Sequence, residues 1–129
     1  MTEESTIEYI NKKVKLNLKK SLDKFNDYDA ENENYIVEIK NRRKYYKEKL
    51  IEALKLYKNY RNAQNKNKTF LYVVTDEKGV YVYNVSKNIE MIINNKPIRT
   101  MQPMTTDFDR TRKILKYCYY LPESLSKII

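Results

Sequence analysis

Two apolar runs, FLYVVT (residues 70–75) and VYVYNV (residues 80–85), are separated by only the four residues DEKG. Runs rich in valine and tyrosine favour extended backbone. A connection this short joins two such strands as an antiparallel hairpin. Gly79 supplies the positive-φ turn position. It is the only glycine in the chain, so no glycine-rich phosphate loop exists.

A third extended stretch, YIVEIK (residues 35–40), reads as a central strand that carries two charges. Side chains alternate along a strand. Val37 and Ile39 therefore point one way, and Ile36, Glu38 and Lys40 the other. Buried charge is costly unless it is paired or holds a metal. Asp29 lies upstream, and a tight turn in ENEN (residues 31–34) would pair a short strand near Tyr28–Ala30 with this one. That pairing brings two carboxylates and one ammonium together. Two carboxylates suit magnesium, which activates water and stabilises charge on a phosphate oxygen. A lysine beside them orients or deprotonates that water, or balances the developing charge. The plainer reading is an ion pair of Glu38 and Lys40 on an exposed sheet face.

Around these strands the pattern predicts a helix over Thr6–Lys13, with Ser5 and Glu8 as a capping box. Alternation in VKLNLKKSL (residues 14–22) predicts a half-buried strand. A long helix is expected from Lys44 to Ala63, burying Tyr46, Leu50, Ala53, Leu54, Tyr57 and Tyr60. Residues 86–104, with two prolines, read as extended chain or loop with one short helical turn. TTDFDRTRKILKYCYYL (residues 105–121) reads as a helix capped by Thr106 or Asp107. Pro122 ends it and opens a short final helix. The order is helix, meander, helix, hairpin and C-terminal helices. It predicts one α/β domain over residues 1–129, with a mixed sheet and helices on its faces.

Composition removes several chemistries. There is no histidine and only one cysteine, Cys118. A disulfide scaffold, a Cys/His zinc site, a Ser-His-Asp triad and a Cys-His dyad are excluded. The formal charge of +9 attracts polyanions, although a lysine-rich solvated surface has the same charge. The N-terminus MTEESTIEY has no signal-peptide character, and no apolar run spans a bilayer. The expectation is a soluble cytoplasmic protein with no membrane partner.

The stretch DYDAENENYIVEIKNRR resembles the PD-(D/E)xK nuclease superfamily. Asp29 matches the first aspartate of the motif and Glu38-Ile39-Lys40 its E-x-K half. Tyr28 stands where the motif has proline, and Asp27 is a rival for the aspartate position. The order of elements over residues 5 to about 85 also follows the family. The stretch MTTDF…K…YYLP is similar to segments of small phage-borne members. The resemblance implies a restriction-endonuclease-like three-layer core and hydrolysis of phosphodiester bonds in DNA or RNA. It implies Asp29 and Glu38 as ligands of Mg2+ or Mn2+, with Lys40 as the catalytic cation. Glu8 would be a further metal ligand, against its simpler role in the helix cap. Arg42, Arg43, Tyr45 and Lys49 would contact nucleic acid, against solvation of the arginines and packing of the tyrosine. Nucleases of this fold often act as homodimers, in a bacterial or phage-infected cell. The alternatives are a non-catalytic nuclease-fold protein that binds nucleic acid or a protein partner, such as a phage inhibitor or regulator, and a basic interaction protein of unrelated fold.

Overall fold

The computed structural model of the chain describes residues 1–23, 27–103 and 113–129. The hairpin forms as its sequence dictates. β5 (Thr69–Asp76) and β6 (Gly79–Asn84) pair antiparallel, with Val73 opposite Val82. Asp76 Oδ1 accepts from the N–H groups of Lys78 and Gly79, and Gly79 has φ +155°. β3 (Tyr35–Asn41) lies parallel to β5, with Glu38 opposite Tyr72. β2 (Ala30–Glu31) runs antiparallel to β3, and β1 (Lys19–Lys20) to β2. β9 (Ser126–Ile128) extends the other edge, giving a mixed sheet in the order β1-β2-β3-β5-β6-β9.

Alternation gives this sheet two apolar faces. Val37, Ile39, Leu71, Val73 and Val80 pack with Ile7 and Ile10 of α1 (Glu3–Val14). Ile36, Phe70, Tyr72, Val74, Tyr81 and Tyr83 face the opposite way. They pack with Leu56 and Ala63 of α2 (Ala53–Asn65) and with a second sheet. That second sheet has the order β4-β8-β7, from β4 (Lys49–Glu52), β7 (Ile98–Pro103) and β8 (Lys113–Leu121). Each fully buried aliphatic side chain contributes about 1.5–3 kcal/mol, so the two faces dominate stability. Among the described residues the chain is thus a mixed α/β fold with three α-helices, the third being α3 (Ile89–Asn94).

Several sequence expectations are corrected. α1 begins earlier, with Thr2 as N-cap and Ser5 completing the capping box. The alternation over residues 14–22 forms little strand, because Lys15 and Asn17 adopt φ of 52° and 54° and bend the backbone. The long helix starts at Ala53, and residues 49–52 before it are strand β4. Its buried face is Ala53, Leu56, Asn59 and Ala63, while Leu54 and Tyr57 are exposed. The expected helix near the C-terminus is instead β8 over residues 113–121, where β4 and β7 supply partners on both edges. Its proposed caps, Thr106 and Asp107, lie outside the described residues. After Pro122 comes one 3-10 turn, Glu123–Leu125, and then β9.

A buried cation pins β4. The Lys49 side chain is 2% exposed and pairs with Asp76 at 3.4 Å and Glu123 at 2.8 Å. Its Nζ also donates to Tyr46 O and lies over the rings of Tyr45 and Tyr81. Removing one partner of such a pair strands the other charge. Lys49→Met should therefore cost about 3–5 kcal/mol in urea unfolding, and adding Asp76→Asn should recover part of that loss. A loss within the scatter of surface substitutions would mean that the pair does not anchor the strand.

Candidate functional site

The β2–β3 register sets the geometry. Ala30 pairs with Val37, and the Asp29 N–H donates to Val37 O at 2.8 Å. β2 then stops. The next N–H of β3 on that edge, at Ile39, donates instead to Asp29 Oδ2 at 2.7 Å. The Asp29 carboxylate thereby replaces a missing strand and stands beside Glu38. The expected face assignment holds, with Glu38 and Lys40 directed to the side of β4 and α2. Together with Asp29, Arg42, Lys55 and Tyr72 they line a pocket of about 240 Å³.

Other elements close the pocket. Tyr72 donates its hydroxyl proton to Leu50 O at 3.0 Å. Glu52 accepts from Lys116 of β8 at 2.9 Å, and buried Cys118 adds to the wall. α1 contributes Glu3. The Asn41 side-chain oxygen holds that helix in place by accepting from Thr6 Oγ1 at 2.9 Å and from the Thr75 hydroxyl.

Four carboxylates, those of Glu3, Asp29, Glu38 and Glu52, line this partly dry space, and burial and neighbouring negative charge both disfavour the ionised form of an acid. Burial, and next the Asp29 charge, push Glu38 up to about 8. A hydrogen bond with Asp29, and then burial, push Glu3 up to about 7. Burial, and then the neighbouring Arg42, hold Lys40 below the usual lysine range. Burial also raises the Cys118 thiol, the wrong direction for a thiolate nucleophile.

Asp29, Glu38, Lys40 and Arg42 are thus brought together, and the other candidates are not. Glu8 is exposed on α1 and lies outside the pocket lining. The acid of α1 that lines the pocket is Glu3, in the first turn of the helix, which starts earlier than expected because Thr2 caps it. Arg43 is exposed and is not part of the pocket wall. Lys49 is consumed by its buried ion pairs, and Tyr45 donates to Glu123 at 2.7 Å. Asp27 lines no part of the pocket, and its carbonyl accepts from Asn59. Lys55, which was not among the residues expected at the site, also lines the pocket. Only the true start of α2 reveals that it turns inward.

Among the described residues, no group of three or more acidic, cysteine or histidine side chains is close enough to hold a metal ion. The oxygens available are those of Asp29 and Glu38, with Glu3 hydrogen-bonded behind Asp29. Magnesium commonly takes one or two carboxylates and keeps several waters, so a pair of hard oxygen donors fits it. Compared with known proteins, the chain has no matching family model and no significant match among curated proteins or solved structures.

Glu38 and Glu3 bind protons more tightly when folded than in the unfolded chain, where both titrate near 4.5. Folding takes up protons between those values and about 7 to 8, so stability falls as pH rises through this window. Thermal unfolding in chelator should therefore show Tm declining from about pH 5 to about pH 8. Glu38→Gln should remove much of the decline. An unchanged slope in that variant would show that Glu38 is ionised throughout.

Proposed function

We propose that the chain is a metal-dependent nuclease that hydrolyses phosphodiester bonds in DNA or RNA, on the pattern of the PD-(D/E)xK superfamily. The observation that carries this reading is the position of Asp29 beside Glu38, with Lys40 on the same pocket wall. The sequence order of a helix, a meander, a crossover helix and a strand parallel to β3 also agrees with that resemblance.

Asp29 and Glu38 would hold Mg2+ or Mn2+. When bound, the cation supplies polarisation of water and neutralisation of charge on a phosphate oxygen. Lys40 has no hydrogen-bonded carboxylate partner among the described residues and a lowered proton affinity. It is suited to orient the attacking water, to accept its proton, or to stabilise the charge that develops on phosphate. Arg42 extends the cationic wall towards the phosphate chain. The net charge of +9 favours nucleic acid approach from a distance. Duplex or single strand, and a monomeric or dimeric enzyme, are open to the same assay.

A second reading has its own support. Glu3 and Asp29 share a hydrogen bond, and no three-ligand metal group is assembled among the described residues. A nuclease-like fold that grips nucleic acid or a protein without cutting it has no need of such a group.

The test is cleavage of plasmid, single-stranded DNA and RNA with magnesium or manganese. Asp29→Asn is the informative substitution, because its side-chain oxygen can still accept from the Ile39 N–H. Asp29→Asn and Lys40→Ala should each lower cleavage by roughly 10²–10⁴-fold with folding intact. Magnesium should also raise Tm more at pH 8 than at pH 5, because the Glu38 ligand must be deprotonated. Salt-dependent binding of nucleic acid without cleavage under any metal would favour the second reading.

A further inference from the structure

We propose that Lys55 is a substrate-contacting cation of this site, holding a non-bridging phosphate oxygen from the α2 side, opposite Lys40 and Arg42. The proposal rests on the nuclease reading above and names a residue that the motif does not supply.

Lys55 is half-buried and lines the same pocket as Glu38, Lys40 and Arg42. Among the described residues it forms no salt bridge and no side-chain hydrogen bond. Other partly or fully buried lysines differ. Lys116, close by, is held by Glu52 at 2.9 Å, and Lys49 and Lys68 also have carboxylate partners. Lys55 sits in the first turn of α2, where exposed N–H groups make the helix end electropositive and acidic side chains are preferred. That turn contains no acid. The N-cap residue Glu52 makes no side-chain capping bond and is committed to Lys116. An unpaired lysine here therefore works against the local helix.

The charge arrangement explains its presence. Lys40 comes from β3, Arg42 from the residue that follows its end, and Lys55 from α2, so the cations of the pocket are supplied by two separate parts of the chain. Glu3, Asp29 and Glu38 provide the carboxylates between them. With the carboxylates engaged by a divalent cation, Lys55 is left to meet an anion. A phosphodiester supplies that anion, with two non-bridging oxygens for two opposed cations.

The experiment compares wild type with Lys55→Ala, Lys55→Arg and Lys55→Glu. It measures metal-dependent cleavage, oligonucleotide binding across a salt series with calcium in place of magnesium, and Tm. Lys55→Ala should lower kcat/KM by at least about tenfold, a size typical of a lost charge-assisted contact. It should reduce the salt slope of binding by about one and leave Tm unchanged or raised. Lys55→Arg should restore most of the binding slope, and Lys55→Glu should abolish binding. A residue that only balances Glu38 would shift the pH profile and leave the salt slope intact, which would overturn the assignment. Wild-type cleavage matched by Lys55→Ala at the same slope would overturn it while sparing the nuclease reading. Absence of both cleavage and salt-dependent binding in wild type would overturn both.

Discussion

The hydrogen bond from the Ile39 N–H to Asp29 Oδ2 is the contact around which the site is built. β3 lies between β2 and β5, but β2 covers only part of its length. A buried N–H without a partner costs about 1–3 kcal/mol. The carboxylate of Asp29 satisfies it where β2 runs out. The same bond fixes that carboxylate beside Glu38 and draws Glu3 of α1 into contact. A local shortage of backbone partners is thereby solved with a charge, and that charge makes the neighbouring acids harder to ionise.

The lysines separate structural from functional charge. Lys49 is enclosed, with two carboxylates, a carbonyl and two tyrosine rings around its ammonium. Every feature of that environment stabilises one fixed geometry. Lys40 and Lys55 are partly buried in a shared pocket and have no such enclosure. Partial burial without pairing is unfavourable for an ammonium. Burial accordingly lowers the proton affinity of Lys40, and perturbed charges gather in functional clefts.

Legibility in the sequence followed how local each signal was. The β5–β6 hairpin was readable because alternation and a short turn specify it within a few residues. Asp29, Glu38 and Lys40 were readable because strand alternation and one tight turn suffice to bring them together. The helix expected from Lys44 failed because its apparent periodicity ran through Tyr46 and Leu50. Burial of Lys49, a long-range effect, makes residues 49–52 a strand instead. KYCYYL was ambiguous in period, and β4 and β7 decided in favour of strand. Glu8 was expected from the resemblance as the acid of the first helix, but the acid of α1 that lines the pocket is Glu3, in its first turn. Lys55 depended on the corrected start of α2 and so lay out of reach.

The location of the pocket follows from the topology. β3 and β5 are parallel, and Glu38, Lys40 and Asn41 occupy the C-terminal part of β3. Ligand sites in open α/β sheets lie beyond the carboxyl ends of parallel strands, where connections diverge and leave a crevice. Here three divergences coincide. β2 ends at one side of β3, the chain leaves β3 for β4 and α2 on one face, and α1 covers the other. Asn41 joins the last two by binding Thr6 of α1 and Thr75 of β5 through one side-chain oxygen. Thr6 is fully buried, so the beginning of α1 cannot drift from the end of β3. The acid on that first turn, Glu3, is therefore held against Asp29 by packing as well as by its own hydrogen bond. A crevice whose acids come from separate elements, each held by its own packing, can keep them close together, with two of them holding their protons well above the ordinary carboxylate range.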